Sequence, residues 1–185
     1  MRVISGTRRG HRLKQPKTKE TRPTEDRIKE SIFNVLGYID SESTVLDLFA
    51  GSGSVGIEFL SRGAKKAYFI DKSKLSIDTI RENLEHTKLS QVAEIKQMDS
   101  GKALSYFRKE NIVFDYIFLD PPFKEHGLLL NIIESISESV LLSSGGIIIV
   151  EHEKEVELKD VGNYKIVIEK DYGNKKVSFF KNQIV

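Results

Sequence analysis

Apolar and polar positions alternate between two periods along this chain, and the alternation predicts its architecture. Short apolar runs of strand length recur at Thr44–Phe49, Lys66–Ile70, Val92–Gln97, Phe114–Leu119 and Gly146–Val150. Between them lie segments whose apolar residues recur every three to four positions: Val55–Arg62, Ser73–Thr87, Ala103–Arg108 and His126–Leu142. An earlier helix carries Ile28, Ile32, Val35 and Leu36 on one face, with Thr24 as its cap. The ends read differently. Residues 2–5 and 10–14 flank Gly6-Thr7-Arg8-Arg9-Gly10 as a small hairpin. Tyr164–Lys170 and Lys175–Lys181 flank the hairpin signal Gly173-Asn174.

Strands that alternate with helices imply a doubly wound, mostly parallel α/β sheet with right-handed crossovers, a Rossmann-like arrangement. The closing hairpin adds an antiparallel edge. The expected division is a basic N-terminal extension over residues 1–40, packed on a core domain over residues 41–185. At 185 residues the whole is of single-domain size, able to bury about 70% of its unfolded surface.

Composition narrows the chemistry. The absence of cysteine excludes disulfides, thiolate zinc sites and thiol nucleophiles. His11, His86, His126 and His152 show no metal-ligand spacing, so no metal is expected. With no apolar run of transmembrane length and no signal peptide, a soluble cytoplasmic protein is the expectation; no membrane partner is expected, and the chain is taken as a monomer. Net charge is +2, but it is unevenly spread. Residues 1–22 carry eight Lys/Arg against Glu20 alone, +7, and the remainder sums to −5. Such an end is either a solvated tail or the footprint of a polyanion, with Arg8, Arg9, Arg12, Lys14 and Lys17 as candidate phosphate contacts.

Open α/β sheets bind ligands beyond the C-terminal ends of their strands. Three motifs fall at such ends. In the first, Asp47 and Phe49 lead into Gly51-Ser52-Gly53, and Gly56 completes a nucleotide-binding spacing between strand and helix. The second is Asp71, 20 residues beyond Gly51, placed to accept hydrogen bonds from ribose hydroxyls. NAD and S-adenosylmethionine both satisfy these features. The third is Asp120-Pro121-Pro122-Phe123, a stiff turn that offers a carboxylate, backbone carbonyls and an aromatic face. It suits a planar base carrying an exocyclic amine, and so favours S-adenosylmethionine. Asp99 and Ser100 follow the third strand. They either flank the adenine or, through Asp99, cap the next helix.

The order Asp47, Gly51-Ser52-Gly53, Asp71, Asp99, Asp120-Pro121-Pro122-Phe123 resembles class I S-adenosylmethionine-dependent amino-methyltransferases. Ile4-Ser5-Gly6, Arg22-Pro23-Thr24 with Arg27, and Ile32-Phe33-Asn34-Val35-Leu36 narrow the resemblance to the bacterial small-subunit (16S) ribosomal RNA guanine-N2 methyltransferases. The resemblance extends to Tyr172-Gly173 and Val177-Ser178-Phe179-Phe180. It implies methyl transfer from S-adenosylmethionine to a guanine N2 amine, with ribosomal RNA or the small ribosomal subunit as partner. It also implies that Arg22 and Thr24 hold the cofactor or target nucleotide. A DNA adenine-N6 methyltransferase would use the same ledge, and a non-catalytic RNA-binding module is the reading from another class.

Overall fold

A computed structural model describes residues 1–16, 26–122 and 126–183 of the chain. Strands running the same way need crossovers, and the periodic segments supply them. The order is α1 (Asp26–Leu36), β1 (Thr44–Asp47), α2 (Ser54–Ser61), β2 (Lys66–Asp71), α3 (Lys74–Thr87), β3 (Ala93–Gln97), α4 (Ser100–Lys109), β4 (Phe114–Leu119), α5 (His126–Ser137), β5 (Leu142–Glu153), β6 (Tyr164–Tyr172) and β7 (Lys175–Asn182). The seven strands form one sheet in the order β3-β2-β1-β4-β5-β7-β6. β1 to β5 pair in parallel, and β7 runs antiparallel between β5 and β6. The expected doubly wound sheet with a C-terminal antiparallel hairpin is present.

The winding reverses between β1 and β4. From β1 the chain steps outward to β2 and β3; from β4 it steps the other way to β5. A crevice therefore opens where β1 and β4 lie side by side, with Asp47 level with Phe118.

Strand side chains alternate between two faces. Val45, Phe69, Phe118, Ile149 and Val177 pack with Ile32 of α1, Phe59 of α2 and Ile80 of α3. Leu46, Ile70, Leu119, Val150 and Phe180 pack with Phe107 of α4 and Ile133 of α5 on the other face. Val3 and Leu13 join the first cluster, so the N-terminal arm shares this core.

Three elements differ from the sequence reading. The N-terminal hairpin is reduced to the bridge Arg2–Arg12 and the backbone bonds around it, about a three-residue 3-10 turn at Gly6–Arg8. Helix α5 stops at Ser137, five residues short of the expected end. The Ser137 and Ser139 hydroxyls donate to carbonyls of the last turn, and Leu142 pairs with Phe114 as the start of β5. Leu141 and Leu142 had continued the apolar spacing, but sheet pairing satisfies their backbone groups instead. β5 also runs past the expected end at Val150 to Glu153, so Glu151 and His152 are buried strand residues.

Candidate functional site

Asp47 ends β1 beneath the glycine turn. Its Oδ2 accepts the Gly56 N–H at 3.1 Å, which ties the strand to the first turn of α2. Oδ1 is buried without a hydrogen-bond partner. Burial pushes the Asp47 carboxyl from 3.8 up to about 7; the Gly56 N–H opposes the rise and the Asp71 charge adds to it. Gly56 is required by packing: a Cβ there would lie 2.4 Å from Phe69 Cε1. The turn itself faces open space, since a Cβ at Gly51 would meet nothing within 4 Å.

Asp71 ends β2 and braces the same turn. Its Oδ2 accepts the Gly51 N–H at 2.9 Å, and its Oδ1 accepts the Ser73 N–H at 2.8 Å. Each oxygen keeps a lone pair for a further donor. Phe49 is half-buried and Ser52 is buried. Met98 N–H donates to the Asp71 carbonyl, which brings the end of β3 alongside. Asp99 there caps α4, accepting the Lys102 N–H at 2.9 Å, while Ser100 is buried. The capping contact is thus made; it leaves Asp99 exposed at the same edge.

Asp120 follows β4 and keeps part of its surface exposed, with Pro121 half-buried and Pro122 exposed beyond it. Burial raises its carboxyl well above the usual range; Glu151 and Asp47 add to the rise, and Lys175 opposes it. Glu151 and Lys175 form a buried ion pair. Asp47, Asp71, Asp99 and Asp120 are therefore gathered at one edge of the sheet, around the switch point. Phe123 lies outside the described residues, as do Lys17, Arg22 and Thr24.

The basic arm runs along α2. The buried Glu58 accepts the Ile4 N–H at 2.8 Å and the Ser5 N–H at 2.9 Å, and pairs with Lys29 and Arg62. Lys29 is also fully buried, donating to the Arg2 carbonyl at 2.6 Å. Burial lowers the Lys29 pKa, and Glu58 and Asp26 oppose this. At the far end, Arg8 N–H donates to Ser61 Oγ. Gly6 is irreplaceable there: φ is +81°, and a Cβ would fall 1.8 Å from the Ser61 carbonyl oxygen.

This docking separates the candidate phosphate contacts. Lys14 lies beside Asn83, whose amide also reaches the Ser52 carbonyl of the glycine turn. Arg8 and Arg9 lie near Ser61, at the other end of the eight-residue α2, about 12 Å away along its axis. Arg12 is exposed beside Arg2. The Lys14 ammonium pairs with Glu82 at 2.6 Å, and Arg8 is half-buried with Nε unpartnered.

Asn83, Glu58, Lys29, Glu151 and Lys175 escaped sequence reading. Glu58 alone left a trace, as the single acid within the otherwise apolar Val55–Leu60 stretch. Among the described residues, no group of three His, Asp or Glu side chains is arranged to hold a metal, and no helix is long and apolar enough to cross a membrane.

Comparison with known proteins agrees with this architecture. YlbH of Bacillus subtilis is 41% identical over 186 residues, which cover 99% of this chain and all of the relative. Ribosomal RNA small subunit methyltransferase D of Haemophilus influenzae is 35% identical over 98% of this chain and 94% of its own length. The solved structure of yhhF from Escherichia coli superposes with a TM-score of 0.84 at 29% identity, covering 98% of this chain and 97% of that one. The family described as "Conserved hypothetical protein 95" matches residues 1–181, and the chain belongs to that family.

Proposed function

We propose that this protein transfers a methyl group from S-adenosylmethionine to the exocyclic N2 amine of a guanine in small-subunit ribosomal RNA. The observation that carries the reading is the Asp120-Pro121 ledge at the mouth of the crevice that also holds the Asp47 and Gly51–Gly53 turn. The name of the Haemophilus influenzae relative supports ribosomal RNA as the substrate class.

The residues present fit the cofactor. Asp71 retains acceptor capacity on both oxygens for ribose hydroxyls. The orphaned Oδ1 of Asp47 suits the field of a cationic amino-acid end, and the open side of Gly51 leaves room for a ligand backbone. Phe49, Ser52, Gly53, Asp99 and Ser100 complete that edge. When bound, the cofactor supplies an electrophilic methyl carbon on a sulfonium.

The chain's own groups prepare the nucleophile. Guanine N2 is a weak one, because its lone pair is delocalised into the ring. Asp120 accepts one N2 hydrogen and the Pro121 carbonyl the other, which turns the lone pair toward the methyl carbon and favours a pyramidal nitrogen. Phe123 stacks on the base, a contact worth about 1–3 kcal/mol. With that methyl carbon transferred to N2 and the sulfonium left as a neutral thioether, the proton released from N2 would pass to the Asp120 carboxylate that already accepts the N2 hydrogen. Holding both reactants in line supplies roughly 7–11 kcal/mol of barrier reduction. The target base leaves its stack to reach the ledge.

The arm presents cations along α2, from Arg12 and Lys14 to Arg8 and Arg9, and extends the contact along the RNA backbone; Lys17, Arg22 and Thr24, outside the described residues, remain further RNA-binding candidates from the sequence. Such contacts weaken steeply with salt.

The test is incubation with methyl-labelled S-adenosylmethionine and three acceptors: unmodified small ribosomal subunits, free ribosomal RNA and duplex DNA. Digestion to nucleosides should place label in N2-methylguanosine. Label in N6-methyladenine from DNA would replace this reading with the adenine alternative. No label, despite cofactor binding, would leave a binding module.

A further inference from the structure

We propose that His11 of the arm and His86 of α3 form, together with Arg8, a proton-linked site for one RNA backbone phosphate, at the end of α2 away from the proposed cofactor turn. The inference deepens the proposed function and rests on it for the identity of the polyanion.

The tip of the arm spans two helices. Its turn, Gly6–Arg8, sits on the last turn of α2: Arg8 N–H donates to Ser61 Oγ at 3.0 Å, and the Ser61 hydroxyl donates to the Ser5 carbonyl at 2.6 Å. Three residues beyond Arg8, the His11 ring meets the His86 ring edge-on, with centroids 5.4 Å apart and planes at 64°. His86 lies exposed in the last turn of α3, and His11 is half-buried. His11 Nδ1 is 2.9 Å from the Arg8 carbonyl. A ring nitrogen facing a carbonyl carries the hydrogen, so neutral His11 keeps Nε2 as an acceptor. It can donate to a phosphate only as an imidazolium.

Cations surround this contact. Arg8, Arg9 and Arg12 come from the arm, Arg62 from the end of α2 and Lys88 from the end of α3. The acids in the last turns of the two helices are Glu58, bound by Lys29 and Arg62, Glu82, bound by Lys14, and Glu85. Among the described residues no carboxylate pairs with Arg8, Arg9 or Arg12, and Arg8 Nε is buried without a hydrogen-bond partner. The Arg8 charge is thus available to an anion rather than spent on a carboxylate. Two imidazoliums in ring contact repel each other, and an anion bound beside both offsets the repulsion. Phosphate binding and proton uptake therefore favour each other, by reciprocity. Histidine changes charge between about pH 5 and 8, so RNA affinity follows pH across that range. Arginine and lysine alone would give no such dependence, because both stay charged there.

The experiment measures Kd for a fluorescent fragment of unmodified small-subunit ribosomal RNA by anisotropy, at fixed salt, near pH 6 and near pH 8. The proteins are wild type, His86→Gln, His11→Gln and Arg8→Gln. Wild type should bind at least about fivefold tighter at the lower pH. Either histidine variant should lose most of that ratio, with the loss falling at the lower pH. Arg8→Gln should weaken binding at both pH values and make the salt slope shallower by about 0.7. His86 is exposed on α3, so His86→Gln tests the site even where His11→Gln loosens the arm. Equal pH ratios in wild type and His86→Gln overturn the inference, as does a wild-type affinity that ignores pH. Methyl transfer to N2 with pH-independent RNA affinity would overturn the site alone. RNA binding that follows pH in a protein transferring no methyl group would instead overturn the proposed function and leave the site standing.

Discussion

The Asn83 side chain holds Ser52 of the glycine turn: its Nδ2 donates to the Ser52 carbonyl at 2.8 Å. The remaining Nδ2 hydrogen goes to the Lys14 carbonyl at 3.0 Å, and Oδ1 accepts the Lys14 N–H at 2.8 Å. One buried amide thereby spends both donors and its acceptor joining the basic arm to the proposed cofactor loop. Asn83→Ala would orphan the buried Ser52 carbonyl at a cost of about 1–3 kcal/mol. Calorimetric titration with S-adenosylhomocysteine should show roughly tenfold weaker binding, equivalent to about 1.4 kcal/mol. A lowered Tm with unchanged affinity would confine Asn83 to stability.

Asp120 and Asp71 should separate turnover from cofactor binding. Asp120→Ala is expected to lower kcat by at least about 100-fold while cofactor affinity stays within a few-fold. Asp120→Asn should retain part of the activity, because it keeps an acceptor oxygen. Asp71→Ala should weaken cofactor binding first, through lost ribose contacts and an unbraced Gly51. Equal losses of both properties in Asp120→Ala would make that residue structural.

Asp47 should impose a pH dependence on the free protein. Its carboxyl is raised from 3.8 to about 7 on folding, so the folded state holds the extra proton between those values. Stability from this group is then fully present below about pH 4 and is lost as pH rises toward 7, by up to about 4 kcal/mol. Thermal unfolding of wild type should fall across this window relative to Asp47→Asn, which keeps an acceptor for Gly56 but cannot ionise. Parallel pH curves for the two proteins would contradict the assignment.

Glu58 should anchor the arm. Glu58→Ala removes the acceptor of two backbone N–H groups and leaves Lys29 buried beside no carboxylate of α2. The expected cost is about 3–5 kcal/mol. Limited trypsin digestion should then cut faster after Arg8 and Arg9, before the core unfolds. Lys29→Met combined with Glu58→Gln should recover much of the loss; failure to recover would show that the backbone contacts, not the charge balance, carry the anchoring.

Much of this molecule was legible in one dimension. Apolar runs of strand length and helices of 3.6-residue period are local signals, and their alternation alone leaves few topologies other than a doubly wound sheet. The positions of the glycine turn, Asp71 and Asp120-Pro121-Pro122 at strand ends were readable because each is contiguous with the strand that carries it, so spacing along the chain stands for spacing in the fold. The boundary of α5 was not, because Leu141 and Leu142 fit a helix face and a strand equally until Phe114 became a pairing partner. Nor was the burial of Glu151, whose charge-rich surroundings look solvated in sequence. Only the tertiary structure decided the pairs Glu151–Lys175, Asn83–Lys14 and Glu58–Ile4, whose members lie 24, 69 and 54 residues apart. No local periodicity encodes such partners. They exist because an unpaired charge or amide in the interior costs more than the chain can spare, and the sheet brings the compensating group from far along the sequence.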